Sequence, residues 1–129
     1  MPFILPESSV KRLAGVNDDL VRVVYRAASL TSEPFAVLEG LRTLDRQRQL
    51  YRRGATRTMH SRHLTGHAVD LAPLVGGKPS WHWPHYFVLA EVVKAAAERE
   101  HVPIEWGGDW TRFKDGPHWQ LPWARYPVG

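Results

Sequence analysis

The 129-residue chain contains no cysteine. That absence excludes a disulfide framework, a thiolate metal site and a cysteine nucleophile. Histidine and carboxylates remain as the side chains able to hold a metal. No apolar stretch is long enough to span a bilayer, because charge interrupts each one early. The opening MPFILPESSVKR has neither the basic-then-apolar layout nor the small-residue cleavage site of a secretory signal. Synthesis in the cytoplasm without a signal peptide is therefore the expectation, and a target beyond the membrane would need another agent to open the way. Internal repeats, low-complexity tracts and linkers are also missing, and the length suits one compact domain, 1–129, with no second module.

What is present has an ordinary globular balance, with 43% hydrophobic and 23% charged residues. The net charge is +4, and thirteen of the seventeen basic residues are arginine. Such a surface suits an anionic polymer, whether nucleic acid or cell wall. No run of five basic residues, helix-turn-helix or RNA-binding motif supports the first of these. A monomer with no nucleic-acid partner and no stable membrane association is expected.

A short helix is expected over Ser8 to Leu13, stopped by Gly15. A second follows from the N-cap Asn17, with Leu20, Val23, Val24 and Ala27 on one stripe. Phe35 to Leu38 reads as a strand, and Thr43 caps a third helix that Gly54 ends. Ala55 to Arg62 reads as an exposed basic loop. His67 to Leu71 alternates as a strand, closed by Pro73 and Gly76-Gly77. A long helix starts near Pro84, with Tyr86, Leu89, Val93, Ala96 and Ala97 at helical spacing. Short strands are expected around Ile104–Trp106 and Pro117–Leu121. The pattern implies an α+β domain with a central, mostly antiparallel sheet flanked by helices.

Strand parity isolates candidate chemistry. In the first candidate strand Val69 and Leu71 share one face and Asp70 takes the other. In the last, Trp119 and Leu121 share a face and His118 and Gln120 take the other. If the apolar faces meet the core, Asp70 and His118 each point into a cleft. His63, in the preceding loop, can complete a three-ligand set. Two imidazoles and one carboxylate suit zinc and leave a position open. Hydrolysis also needs a general base. Asp115 is tied to His118 by the Gly116-Pro117 turn, and Glu105 is its competitor, lying opposite two apolar neighbours. A helical His60/His63/His67 ligand ladder is disfavoured by Gly66 and the β-branched Val69. His67 shares parity with Val69 and Leu71, away from Asp70, and is expected either to support the ligands from behind or simply to pack. His82, His85 and His101 are expected to be structural or solvated, and Trp106, Trp110 and Trp119 to pack the core and cleft wall.

At these residues the sequence resembles the M15 family of VanY/VanX-type peptidases. The matching pattern is Ser61-x-His63-x-x-Gly66-x-Ala68-x-Asp70 with a downstream Asp115-x-x-His118. SRHLTGHAVDL and EWGGDW are most similar to the subgroup of phage endolysins that are L-alanyl-D-glutamate peptidases. The similarity extends from Glu39 to Trp119 and includes Glu39-Gly40-Leu41-Arg42-Thr43 and Gln47. It implies a D,D-peptidase/Hedgehog-like fold, zinc held by His63, Asp70 and His118, and Asp115 as the acid/base carboxylate. It also implies Arg42 at the oxyanion or a substrate carboxylate, and Ser61 near the substrate backbone.

The activity so implied is a zinc metallopeptidase acting as an endolysin. It would hydrolyse the L-Ala–D-Glu bond of peptidoglycan stem peptides once the membrane has been permeabilised. A D-Ala-D-Ala carboxypeptidase is the alternative within the same chemistry. It would need a dedicated cation for a free carboxylate, for which Arg42, Arg57 and Arg62 are available. A non-catalytic wall-binding domain is the alternative from another class.

Overall fold

A computed structural model of the protein describes residues 3–56 and 58–127. Four helices and five strands follow one another as α1 (Glu7–Arg12), α2 (Asp18–Leu30), β1 (Phe35–Glu39), α3 (Leu44–Arg52), β2 (Ala68–Val75), β3 (Lys78–Pro79), α4 (Trp83–Glu100), β4 (Glu105–Trp106) and β5 (His118–Gln120). Single 3₁₀ turns occupy Arg62–Thr65 and Gly107–Asp109.

The helix starts follow from their caps. The Asn17 side chain accepts from the Asp19 amide at 2.8 Å, and Asp18 and Asp19 add negative charge to the first turn of α2. Thr43 accepts from the Arg46 amide at 3.1 Å and opens α3. Pro84 sits in the first turn of α4, where its missing donor breaks no helical bond.

The strands form an antiparallel sheet in the order β1-β2-β5-β4, with β3 paired to the far end of β2. One face is covered by helices: α2 packs along α4, and α1 lies on β1, where the Ser9 hydroxyl accepts from the Val37 amide at 3.0 Å. Phe35, Val37, Val69, Leu71, Trp119 and Leu121 fill that side with Leu20, Val23 and Val93. This is the α+β arrangement expected from the sequence. Among the described residues no helix is long and apolar enough to cross a membrane.

Two local expectations are corrected. The strand expected to close at Pro73 runs on to Val75 and turns at Gly76-Gly77 into β3. Pro73 lies outside the paired part of β2 and β3, which runs only over Leu74 and Val75, and its carbonyl accepts from the Ser80 amide at 2.8 Å. The stretch expected to be exposed through Arg62 ends differently as well. Arg62 is 2% exposed and begins the turn that carries His63.

Candidate metal centre

Antiparallel register sets Asp70 directly opposite His118. Their strand neighbours Val69, Leu71, Trp119 and Leu121 are buried in the core, so both polar side chains emerge on the other face, as parity requires. His63 reaches the same point from the 3₁₀ turn. The Ser61 hydroxyl caps that turn by accepting from the His63 amide at 3.2 Å, and the His63 carbonyl accepts from the Arg42 amide at 2.9 Å. One ligand atom from each of His63, Asp70 and His118 lies within 4.8 Å of the other two. Asp70 Oδ1 is 3.1 Å from His63 Nε2 and 3.5 Å from His118 Nδ1.

The outward nitrogens decide the chemistry of the inward ones. His63 Nδ1 lies 2.8 Å from the Gly40 carbonyl, which can only accept, so Nδ1 carries a proton. His118 Nε2 donates to Gln120 Oε1 at 2.8 Å, and Gln120 Nε2 in turn donates to Glu105 Oε2 at 3.3 Å, which orients the amide. In the neutral imidazoles the two inward nitrogens are therefore lone pairs facing a carboxylate. That arrangement calls for a cation between them, either a proton or a metal. Burial by itself would raise the Asp70 carboxyl, but once a proton fills that gap the hydrogen bonds shared with His118 and His63 outweigh burial and hold Asp70 well below the usual carboxylate range. Burial also works against a charged His118, yet the Asp70 carboxylate shifts that imidazole upward. The donor set fits a small divalent cation with histidine and carboxylate preferences, and zinc is the usual match.

Arg42 borders the triad. It donates to Glu39 through Nε and to Gln47 Oε1 at 2.7 Å through Nη1, while Nη2 stands 4.0 Å from Asp70 Oδ2. The fully buried Gln47 is braced by donating to the Thr58 carbonyl at 2.6 Å. Simple alternation would put Glu39 with Val37 on the core face. A register shift between Val37 and Glu39 instead sets Glu39 opposite Asp70, re-aiming it as β-bulges do. Gly40 is needed beside it, since a Cβ there would stand 2.1 Å from the Arg12 carbonyl oxygen.

Asp115 arrives from the segment before β5. Its amide donates to the Gly107 carbonyl at 3.1 Å, and its own carbonyl accepts from the His118 amide at 3.2 Å. A side chain at Gly107 would come within 2.3 Å of the Asp115 carbonyl oxygen, which accounts for glycine in the EWGGDW segment. Asp115, Arg42, Ser61 and the triad line one cleft of about 670 Å³. Partial burial, and then the negative charge of Asp70, raise the Asp115 carboxyl above its ordinary value, the direction that suits an acid/base group. The Trp110 ring lies 5.2 Å from that of His118 and forms part of the cleft wall.

The other expected residues fall elsewhere. Glu105 lies opposite Gln120 in register and so shares the sheet face of His118, where its exposed carboxylate accepts from the Gln120 amide; unlike Asp115 it is not among the residues that line the cleft. Arg62 is not a free cation, because its guanidinium donates to the Leu121 carbonyl at 2.9 Å and to the Tyr126 carbonyl at 2.9 Å. Arg57 lies outside the described residues. His67 bonds Thr65 at 2.7 Å and packs near Tyr126. Trp106 and Trp119 stack in the core with ring centroids 5.6 Å apart. A second groove of about 500 Å³, between Pro34, Leu74 and Val88, carries none of the expected site residues.

Sequence and structure comparisons agree on one group of proteins. A family model described as phage L-alanyl-D-glutamate peptidase matches residues 1–120. The L-alanyl-D-glutamate peptidase of Escherichia phage T5 is 29% identical over 119 residues, covering 89% of this chain and 87% of its own. The crystal structure of the Serratia marcescens L-Ala D-Glu endopeptidase ChiX aligns with a TM-score of 0.89 at 46% identity, over 95% of this chain and 92% of that one. The vancomycin-resistance D,D-dipeptidase VanXYg shares the fold, with a TM-score of 0.58 at 16% identity, over 82% of this chain and 50% of its own.

Proposed function

We infer from the chain's place in the phage L-alanyl-D-glutamate peptidase family, to which it belongs, that it is a zinc-dependent endopeptidase of bacterial peptidoglycan. It hydrolyses the amide between L-Ala and D-Glu in wall stem peptides. The observation that carries the metal is the triad itself: two imidazoles whose outward nitrogens are already committed as donors turn their inward nitrogens toward one ionised carboxylate. His63, Asp70 and His118 would hold a zinc ion, which would supply Lewis acidity toward a peptide carbonyl and toward water.

The chain's own groups account for the remaining steps. Asp115 takes a proton from the attacking water and later delivers it to the leaving amine of D-Glu. A carboxyl raised above its ordinary value is a stronger base toward that water and retains the proton better for delivery to the amine than an unperturbed one would near neutrality. Arg42 is locked by Glu39 and Gln47, which leaves Nη2 as a fixed positive group beside the developing oxyanion. Ser61 uses an oxygen lone pair to cap the His63 turn, so its hydroxyl proton is free to meet the substrate backbone. The basic surface favours encounter with a polymer rich in carboxylates. The site of action is the bacterial cell wall.

Digestion of purified peptidoglycan tests this reading. New amino termini should appear on glutamate, with L-Ala left on the glycan, in mass analysis of the fragments. Release of free D-Ala as the main product would favour the carboxypeptidase reading instead, although Arg62 is already consumed by backbone carbonyls.

A further inference from the structure

Cutting between L-Ala and D-Glu constrains what else the cleft must meet. On the amino side of that bond only one residue, L-Ala, precedes the lactyl group that joins the peptide to an N-acetylated amino sugar. One residue spans at most about 3.6 Å, so the sugar must lie close to the scissile amide, within reach of the cleft walls. Two tryptophans line that cleft, Trp110 and Trp123. Trp110 is packed on the ligand His118, whereas Trp123 is 46% exposed.

Trp123 is also mounted in an unusual way. The Arg62 guanidinium lies 4.2 Å from the centroid of its ring, so one face of the indole is covered and its plane is held. The same guanidinium grips the carbonyls on both sides of Trp123, those of Leu121 at 2.9 Å, Pro122 at 3.4 Å and Tyr126 at 2.9 Å. Arg62 Nη1 is buried with no hydrogen-bond partner, so the cation is kept at a cost that an apolar side chain would avoid. Arg62 immediately precedes His63, so the platform is tied by one peptide unit to the metal triad.

We propose that Trp123, braced by Arg62, is a sugar-binding platform that receives the glycan end of the substrate and makes the enzyme prefer glycan-linked stem peptides. The proposal rests on the L-Ala–D-Glu reading for its placement next to the scissile bond. A flat indole offers an apolar face to the C–H face of a pyranose, with its N–H left for a sugar oxygen. Holding the ring in advance lowers the ordering cost of binding. Trp123 is a specificity residue and takes no part in moving protons.

Two measurements on zinc-loaded protein test it. In the first, kcat and KM are compared for a stem peptide carrying its disaccharide and for the same peptide N-acetylated without sugar. Wild type should favour the glycan-linked substrate, Trp123→Ala should lose about three- to tenfold of that preference through KM, and Trp123→Phe should retain part of it. In the second, saturation-transfer NMR follows binding of a peptide-free glycan fragment, which should be lost in Trp123→Ala and kept in wild type. An unchanged preference in Trp123→Ala, or glycan binding that survives the substitution, overturns the platform. Failure of both peptides to be cut at L-Ala–D-Glu, with glycan binding still dependent on Trp123, would sink the reaction reading and leave the platform standing.

Discussion

Replacing Asp115 by Asn isolates the proton-transfer step from metal binding. The substitution preserves shape, and both backbone bonds that tie residue 115 to Gly107 and His118 are unaffected by it. None of the three ligand atoms belongs to it, so zinc content should stay near that of wild type. General acid–base assistance is worth about a hundred- to ten-thousand-fold, or about 3–5 kcal/mol of barrier. The control is Glu105→Gln, whose carboxylate stands two links from the triad through Gln120 and His118. Glutamine still presents an oxygen to Gln120, and the bond it replaces is 3.3 Å long on an exposed side chain, so turnover should change by no more than about threefold. The assay is release of the glutamate-terminated fragment at saturating substrate, with zinc measured on each preparation by plasma mass spectrometry. Near-normal turnover in Asp115→Asn beside a dead, zinc-loaded Glu105→Gln would refute the assignment of the base.

Further outcomes follow from the same geometry. Gly107→Ala should push the Asp115 backbone away, cutting kcat by about a hundredfold while zinc stays bound, as measured by turnover and metal content together. In chelated protein, Asp115→Asn should raise the Tm at about pH 7 and leave it unchanged at about pH 3. The Asp115 carboxyl is raised in the fold, so its cost appears as pH climbs above the ordinary carboxylate value. Asp70 has the opposite sign: its carboxyl is held low, its contribution is present above the unfolded pKa, and it fades as pH falls through the folded one. Asp70→Asn should therefore lower the Tm of chelated protein near neutrality, with a gap that closes in acid, read by a thermal scan at several pH values.

Much of this site was legible in the chain because period-two alternation is a strong constraint. Val69/Leu71 and Trp119/Leu121 both had to face the core, which sent Asp70 and His118 to the same side, and the register pairs them directly. The caps Asn17 and Thr43 were equally readable, since their oxygens act on amides two or three residues away. The contribution of Glu39 was not, because it depends on a bulge that reverses parity after Val37 and leaves no local sequence mark. Arg62 misled for a related reason. Arginine among arginines reads as solvated, and only the return of the chain at Leu121–Tyr126 supplies the carbonyls that bury it. The β2–β3 hairpin was hidden by Pro73, whose missing donor goes unneeded at that position.

Hydrolysis should depend on one zinc held jointly by His63, Asp70 and His118. The direct measurement is zinc per chain, by plasma mass spectrometry, on wild type and on the three single alanine variants, each paired with wall digestion before and after chelation. About one zinc per wild-type chain is expected, with its loss in all three variants and wall digestion that stops on chelation and returns with zinc. Full digestion by metal-free wild type, or a full complement of zinc in His118→Ala, would contradict that expectation.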